Sequence, residues 1–477
     1  MISFMEHGRI ARLIFVGALA LSLAACGKRN DDGDDDGGTG QVDGPPCTDL
    51  GCFIVDCASK GLPPTTITGT VYAPNGTLPL YGVNVYIPAS DPGPLPDGAV
   101  CDRCANGLPG GSWVSTTTDE AGHFQLVDVP ATDNVPVIIQ TGKWRKKLMM
   151  PTVAACQDIP LGVADTSLPK NKSQGDMPKI AITTGNADAL ECLPKKLGID
   201  DSEFTTDANA GAIHMFQGDG AGTFAANWAG GAGPFASATT LWNDVNKLKQ
   251  YDVVFFSCEG EQNPNKKPQT TLDAVKAYAD LGGRVFASHW HNIFIEGSTQ
   301  SASYTQKPAV WAANGGTPGV AVWNNSGRTF NSPATNLDPT DHIDEQAHPK
   351  GASFATWMLN VGASPAGMRG NVPIKDGKVT VTSVDSAKAE RWVYLRDPGV
   401  PNPVDTPQIF QFTTPNEAAA ADRCGKVVFS DMHVSSGSSS ATGSAFPGGC
   451  STAELTPQEK ALAFIFFDIS SCVGVIQ

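Results

Sequence analysis

Three short runs in this chain carry groups able to do chemistry. Ser257-Cys258-Glu259-Gly260-Glu261 offers a thiol beside two carboxyls, Ser288-His289-Trp290-His291 sets two imidazoles around an indole, and Ser430-Asp431-Met432-His433 supplies a carboxyl and an imidazole. Each ends a run rich in β-branched and aromatic residues: Val253-Val254-Phe255-Phe256, Arg284-Val285-Phe286-Ala287 and Lys426-Val427-Val428-Phe429. If those runs are neighbouring parallel strands, their carboxyl ends share one crevice, where open α/β sheets bind ligands. The candidates for catalysis are therefore His289, His433, Asp431 and Cys258. Those for ligand contact are Glu259, His289, Trp290, His291 and His433. His289 and His291, two apart on an extended chain, would share a face and could hold a metal with Asp431, His433 or Glu259. Cys258 could be a nucleophile with a histidine partner. However, Phe256 stands where a Gly-x-Cys-x-Gly elbow has its first glycine, which favours a disulfide or an inert buried thiol. Asp341, His342, Asp344, Glu345 and His348 form a second polar cluster, read as a solvated loop. No phosphate-binding loop, dinucleotide fingerprint or serine nucleophile elbow occurs. No cofactor is predicted beyond a divalent metal at His289 and His291.

The elements that must position these groups follow from periodicity. From residue 178 onward, apolar runs alternate with amphipathic stretches predicted as helices at 189–197, 238–249, 270–281 and 352–359. Further strands are expected around Val379-Thr380-Val381, Trp392-Val393-Tyr394 and Ile409-Phe410-Gln411-Phe412. A last helix starts at Thr456-Pro457-Gln458-Glu459, with a cap residue, proline at the first helical position and an acidic first turn. This rhythm predicts a mostly parallel sheet covered by helices.

Tyr251-Asp252-Val253-Val254, then Leu281-Gly282-Gly283-Arg284-Val285-Phe286-Ala287-Ser288-His289, resemble the ThuA-type branch of the class I glutamine-amidotransferase-like fold. His348-Pro349-Lys350-Gly351 and Gly425-Lys426-Val427-Val428-Phe429-Ser430-Asp431-Met432-His433 resemble two later stretches of that branch, in the same order. The resemblance implies a flavodoxin-like α/β domain over 178–477. It puts His289 and His433 on the family's two strand-end histidines.

Between residues 66 and 142 the pattern is different. Short β-rich runs separated by turns, such as Asp119-Glu120-Ala121-Gly122 before His123-Phe124, predict a small β-sandwich. Gly69-Thr70-Val71, Gly82-Val83-Asn84-Val85 and Thr117-Thr118-Asp119-Glu120-Ala121-Gly122-His123-Phe124 resemble the carboxypeptidase-regulatory-like, transthyretin-type domain, which implies a non-catalytic spacer or binding module. A connector over 143–177 opens with Trp144-Arg145-Lys146-Lys147, read as an exposed strand end. At the other end, Arg9 and Arg12 precede an apolar run closed by Leu23-Ala24-Ala25-Cys26, the layout of a secretory signal over 1–25. It resembles the lipobox of bacterial lipoproteins. That resemblance implies lipidation of Cys26, a palmitate-type anchor, and an outer-membrane position facing periplasm or cell surface. An acidic, glycine-rich tether over 26–65 would follow, with Cys47, Cys52 and Cys57 at its end.

A formal charge of −15 over 477 residues argues against nucleic acid as a partner. The twelve cysteines suit disulfides in an oxidising compartment, and lipidation of Cys26 leaves an odd number. With no complete catalytic set, the sequence favours a non-catalytic envelope protein with a carbohydrate-type ligand. A hydrolase at the strand ends and a structural envelope scaffold are the alternatives.

Overall fold

The computed structural model describes residues 49–330, 340–375, 377–396, 405–433 and 444–474. Cys26, the signal-like segment and the acidic run lie outside them. Seven strands come first: β1 (Thr66–Thr70), β2 (Asn84–Ile87), β3 (Val114–Thr117), β4 (His123–Val127), β5 (Asp133–Thr141), β6 (Trp144–Thr152) and β7 (Asp158–Pro160). They form a three-stranded sheet, β4-β1-β7, and a four-stranded one, β3-β2-β5-β6. In β4 the period of two is plain, with Phe124 and Leu126 buried between exposed neighbours. Ile67, Val85, Leu126, Val137 and Ile139 bring both sheets into one core. Gly122 turns the chain into β4 at φ +78, where an added Cβ would lie 2.8 Å from Pro79. The basic run at the start of β6 is not an exposed end. Trp144 is fully buried, and Arg145, also buried, pairs with Asp176 at 2.7 Å.

The remaining strands are β8 (Ile180–Thr183), β9 (Phe204–Thr205), β10 (Ile213–Gln217), β11 (Ala236–Ser237), β12 (Val253–Phe256), β13 (Arg284–Ser288), β14 (Ala321–Phe330), β15 (Thr340–Ile343), β16 (Asn371–Pro373), β17 (Gly377–Val384), β18 (Glu390–Arg396), β19 (Asp405–Thr414) and β20 (Gly425–Ser430). Among the described residues, eleven strands make one sheet in the order β11-β10-β8-β12-β13-β20-β19-β18-β15-β16, with β9 beside β10. From β11 to β20 the pairing is parallel, and from β20 to β16 it is antiparallel. The sheet is therefore mixed rather than mostly parallel. Residues 397–404 and 415–424 join β18 to β19 and β19 to β20, too few for the crossover a parallel neighbour needs.

Strands β8, β12, β13 and β20 are buried along their whole length, the mark of a sheet covered on both faces. Val254 and Phe256 join the core with Leu272, Val275 and Tyr278 of the helix Gln269–Asp280. Their alternates Val253 and Phe255 face Leu462 and Phe466 of the helix Pro457–Ile469, and the Phe255 and Phe466 rings lie 5.3 Å apart. That last helix has a capping box between Thr456 and Glu459. The single helix expected over 238–249 is two, Ala238–Trp242 and Val245–Leu248. Asp244 breaks it by accepting a bond from the backbone of Asn246 at 2.8 Å.

Residues 48–477 form one compact unit, and the early sheets share a core with the large sheet's helices. Trp144 packs 6.0 Å from Phe467, Tyr81 stacks on Phe464, and Trp357 donates its indole N–H to the Pro79 carbonyl at 2.8 Å. Between described residues four disulfides reinforce the unit: Cys57–Cys156, Cys101–Cys424, Cys104–Cys472 and Cys192–Cys450. Cys101 and Cys104 sit in the long β2–β3 connection, so their bonds tie the early sheets to the large one. Among the described residues no helix is long and apolar enough to cross a membrane.

Candidate functional site

The three chemistry-bearing runs do converge. Strand β13 lies between β12 and β20, with Phe256 opposite Ala287 and Ser288 opposite Ser430, so the three carboxyl ends are level. Beyond them Cys258, His289 and His433 come together, each burying its side chain and each offering an atom within 4.8 Å of the others. Cys258 Sγ lies 3.4 Å from His289 Nδ1 and 3.4 Å from the Gly260 amide, and the two imidazole rings are 5.2 Å apart. The backbone pays for this aim. His289 has φ +41, a left-handed conformation costing a β-substituted residue roughly 1–3 kcal/mol, and such strain persists where the surroundings impose it.

The loop after β8 closes one side. Ala187 donates its amide to the Cys258 carbonyl at 2.9 Å, and Asp188 accepts the Ser288 hydroxyl at 2.7 Å. Glu191, fully enclosed, has its carboxyl pushed up to about 8, first by burial and further by the Asp188 charge. Burial likewise pushes the Cys258 thiol up to about 12 and the His433 imidazole down to about 3, and holds His289 well below the usual histidine range. The cluster at neutral pH is thus a thiol and two neutral imidazoles. The Lys378 ammonium acts on all three electrostatically. Sequence reading missed Lys378, which no motif marks. It arrives because β17 runs past the end of β20, where the Lys378 amide donates to the Asp431 carbonyl at 3.1 Å.

Other candidates stand elsewhere. The chain leaves β13 in a 3-10 turn, His289–Asn292, so His289 and His291 do not share a face. His291 is buried against Phe294, Phe256 and Trp242 and does not join the cluster. Glu259 is spent on Lys267 at 2.5 Å, with His291 at 3.7 Å and Asn263 at 3.3 Å. Asp431 gives both carboxylate oxygens to the Thr380 amide and hydroxyl at 2.7–3.0 Å. Burial nevertheless pushes it up to about 7, and its role is to hold β17. Trp290 is half-buried with its ring 4.8 Å from His289. Cys258 is a free buried thiol, not half of a disulfide.

The second polar cluster is not a solvated loop. His342 bonds Asn371 at 3.0 Å, Asp344 pairs with Arg391 at 2.6 Å, and Glu345 pairs with Arg369 at 2.7 Å. His348 stacks on Trp392 and pairs with Glu390 at 3.2 Å. The side chain of Asp341 lies outside the described residues.

No protein-family profile matches the chain, and no curated protein matches it. Among solved structures, one described as a ThuA-like protein from Bacteroides uniformis is similar over 61% of this chain and 90% of its own, at 14% identity and a TM-score of 0.29. A chain of a cohesin–X-dockerin complex from Acetivibrio cellulolyticus is similar over 28% of this chain and 85% of its own, at 18% identity and a TM-score of 0.17. Likenesses this loose transfer neither fold nor chemistry, and the site stands on its own geometry.

Proposed function

We propose that this chain is an envelope protein whose strand-end crevice is a hydrolytic centre acting on carbohydrate-containing substrates. It would be held to the outer membrane by a lipid on Cys26, through a tether that precedes a transthyretin-type sandwich and a ThuA-like, flavodoxin-like α/β domain. The Leu23-Ala24-Ala25-Cys26 run and four disulfides support the exported setting. The observation that carries the chemistry is the burial of Cys258, His289 and His433 within 4.8 Å of one another. A passive sugar site needs an aromatic platform and hydrogen bonds at its rim. It does not need two unprotonated imidazoles and a thiol in its floor. A neutral imidazole there can accept a hydrogen bond from an attacking water and orient it. With its basicity depressed by burial, its contribution is positioning, worth up to about a hundredfold in rate, rather than proton abstraction. The Lys378 ammonium can meet the negative charge that develops. Trp290, half-buried beside His289, is suited to stack on a sugar ring, and it is the feature that keeps simple glycan binding as the second reading.

The test is a panel of chromogenic glycosides and esters offered to the full chain without its signal segment, with a glycan array in parallel. Turnover of one class, reduced about a hundredfold in His433→Gln and weakened mainly in KM by Trp290→Ala, supports the reading. Glycan retention that depends on Trp290, with no turnover by the wild type, would replace it with the binding protein. Neither turnover nor retention would leave a scaffold.

A further inference from the structure

We propose that Cys258, His289 and His433 are the protein ligands of a thiophilic divalent metal ion, zinc by chemistry. One sulfur and two imidazole nitrogens are a donor set zinc favours, and three protein ligands leave a fourth position for water or substrate, as in catalytic rather than structural sites. In a tetrahedral site with the usual Zn–S and Zn–N lengths, ligand atoms sit about 3.3–3.6 Å apart. Cys258 Sγ and His289 Nδ1 are already 3.4 Å apart, and the widest pair, within 4.8 Å, closes by roughly 1 Å through side-chain torsions.

A histidine-lined wall held by ordinary hydrogen bonds would look different. Both ring nitrogens of His433 and Nε2 of His289 are buried and have no hydrogen-bond partner. Each such group left bare carries an uncompensated desolvation cost, and the strained backbone of His289 adds to it. Both expenses make sense if the groups are placed for an ion. The thiol points the same way. Cys57, Cys101, Cys104, Cys156, Cys192, Cys424, Cys450 and Cys472 are all paired, and Cys258 is the free cysteine among the described residues. Among the described residues the other cysteines are oxidised and this one stays reduced, at the end of a central strand.

The three ligands come from three adjacent strand ends, a rigid support for metal geometry. The Gly260 amide donates to the sulfur at 3.4 Å, and the His433 carbonyl is held by the Gln458 side chain, the kind of outer contact that orients ligands. On binding, the Cys258 S–H bond breaks, the proton leaves to solvent, and the S–metal bond forms. Two neutral imidazoles add no charge, so the site gains one positive charge, which Asp188 beside Ser288 offsets against Lys378. This set replaces the His289–His291 pair expected from sequence. Resting on the hydrolytic reading of the same crevice, it transfers the activation of water from a free imidazole to the metal, which would supply a Lewis acid there.

The experiment uses the full chain without its signal segment, purified without affinity tags that bind metal. Elemental analysis after dialysis against zinc should give one zinc per chain. Cobalt(II) added to the chelator-treated protein should give a thiolate-to-cobalt charge-transfer band and the intense visible bands of a tetrahedral ion. The charge-transfer band should vanish in Cys258→Ser, and cobalt affinity should fall roughly a hundredfold in His433→Gln, a loss at or beyond that seen for outer-shell partners. His342→Gln, outside the cluster, should leave both unchanged. If wild-type protein with native far-ultraviolet dichroism holds less than a tenth of an equivalent and shows no such band, the metal centre is overturned, whatever the variants do. One equivalent of metal without turnover would sink the hydrolase and keep the metal, whereas chelator-insensitive turnover by metal-free protein would do the reverse.

Discussion

The buried pair Glu259–Lys267 decides whether Glu259 belongs to the site or to the frame. Its two side chains are 0–1% exposed, and Lys267 also donates to the Gln262 carbonyl at 2.9 Å while lying over the Trp242 ring. At 2.5 Å and an effective dielectric of 20, the attraction is about 6–7 kcal/mol before desolvation is counted. Removing one partner strands the other in an apolar surround, and such a break costs about 3–5 kcal/mol. We therefore expect Lys267→Met to destabilise the protein by about 3–5 kcal/mol and Glu259→Gln by somewhat less, because Gln can still bond Asn263. The double variant, which leaves no charge behind, should cost at least about 2 kcal/mol less than the sum of the singles. Urea unfolding of the four proteins measures the cycle, and repeating it at high salt should change little because solvent ions do not reach the pair. Single costs below about 1 kcal/mol, or additivity within about 0.5 kcal/mol, would refute the reasoning and return Glu259 to the list of groups free to meet a ligand.

The bonds Cys101–Cys424 and Cys104–Cys472 close loops of 323 and 368 residues, but with one intact the other closes only about fifty residues, worth about 4 kcal/mol in the loop-entropy picture. Guanidinium unfolding should then show that Cys101→Ser/Cys424→Ser alone costs less than the same change made where Cys104–Cys472 is already absent; equal costs would count against interlaced, shared loop closure. Glu191 offers a pH test. Its folded carboxyl, at about 8, keeps a proton that the unfolded chain gives up near 4.3, so stability should fall as pH rises across that window, by on the order of 1.4 kcal/mol per unit at most. Glu191→Gln should flatten that slope in thermal melts between pH 5 and 8, and an unchanged slope would show that the proton sits elsewhere.

Elements whose determinants are local were legible in the sequence. Thr456-Pro457-Gln458-Glu459 announces the last helix because cap, proline and acidic turn act within four residues. The helix Gln269–Asp280 was readable from its apolar face. The convergence of Cys258, His289 and His433 was readable only conditionally, since it needs β12, β13 and β20 to be neighbours. The division of labour within the site was not readable. Whether His289 and His291 share a face depends on where β13 ends, and one residue in a left-handed conformation reverses the answer. Asp431 looked like a catalytic carboxyl until β17, about fifty residues earlier in the chain, took both its oxygens. The antiparallel half of the sheet hinged on connection length rather than on strand composition.

The disulfide between residues 104 and 472 also constrains how the molecule is made. Chains emerge from the ribosome at about 5–20 residues per second, so roughly 20–70 s pass between the appearance of Cys104 and that of its partner. For most of that interval Cys101 and Cys104 are exposed without the cysteines they finally bond, whereas Cys156 arrives early for Cys57. An oxidant acting on the growing chain would join near neighbours first, and undoing such bonds without catalysis takes minutes to hours. If oxidation accompanies synthesis, the yield of native pairings should depend on an isomerase, and a host lacking one should accumulate full-length chains in the wrong pairings.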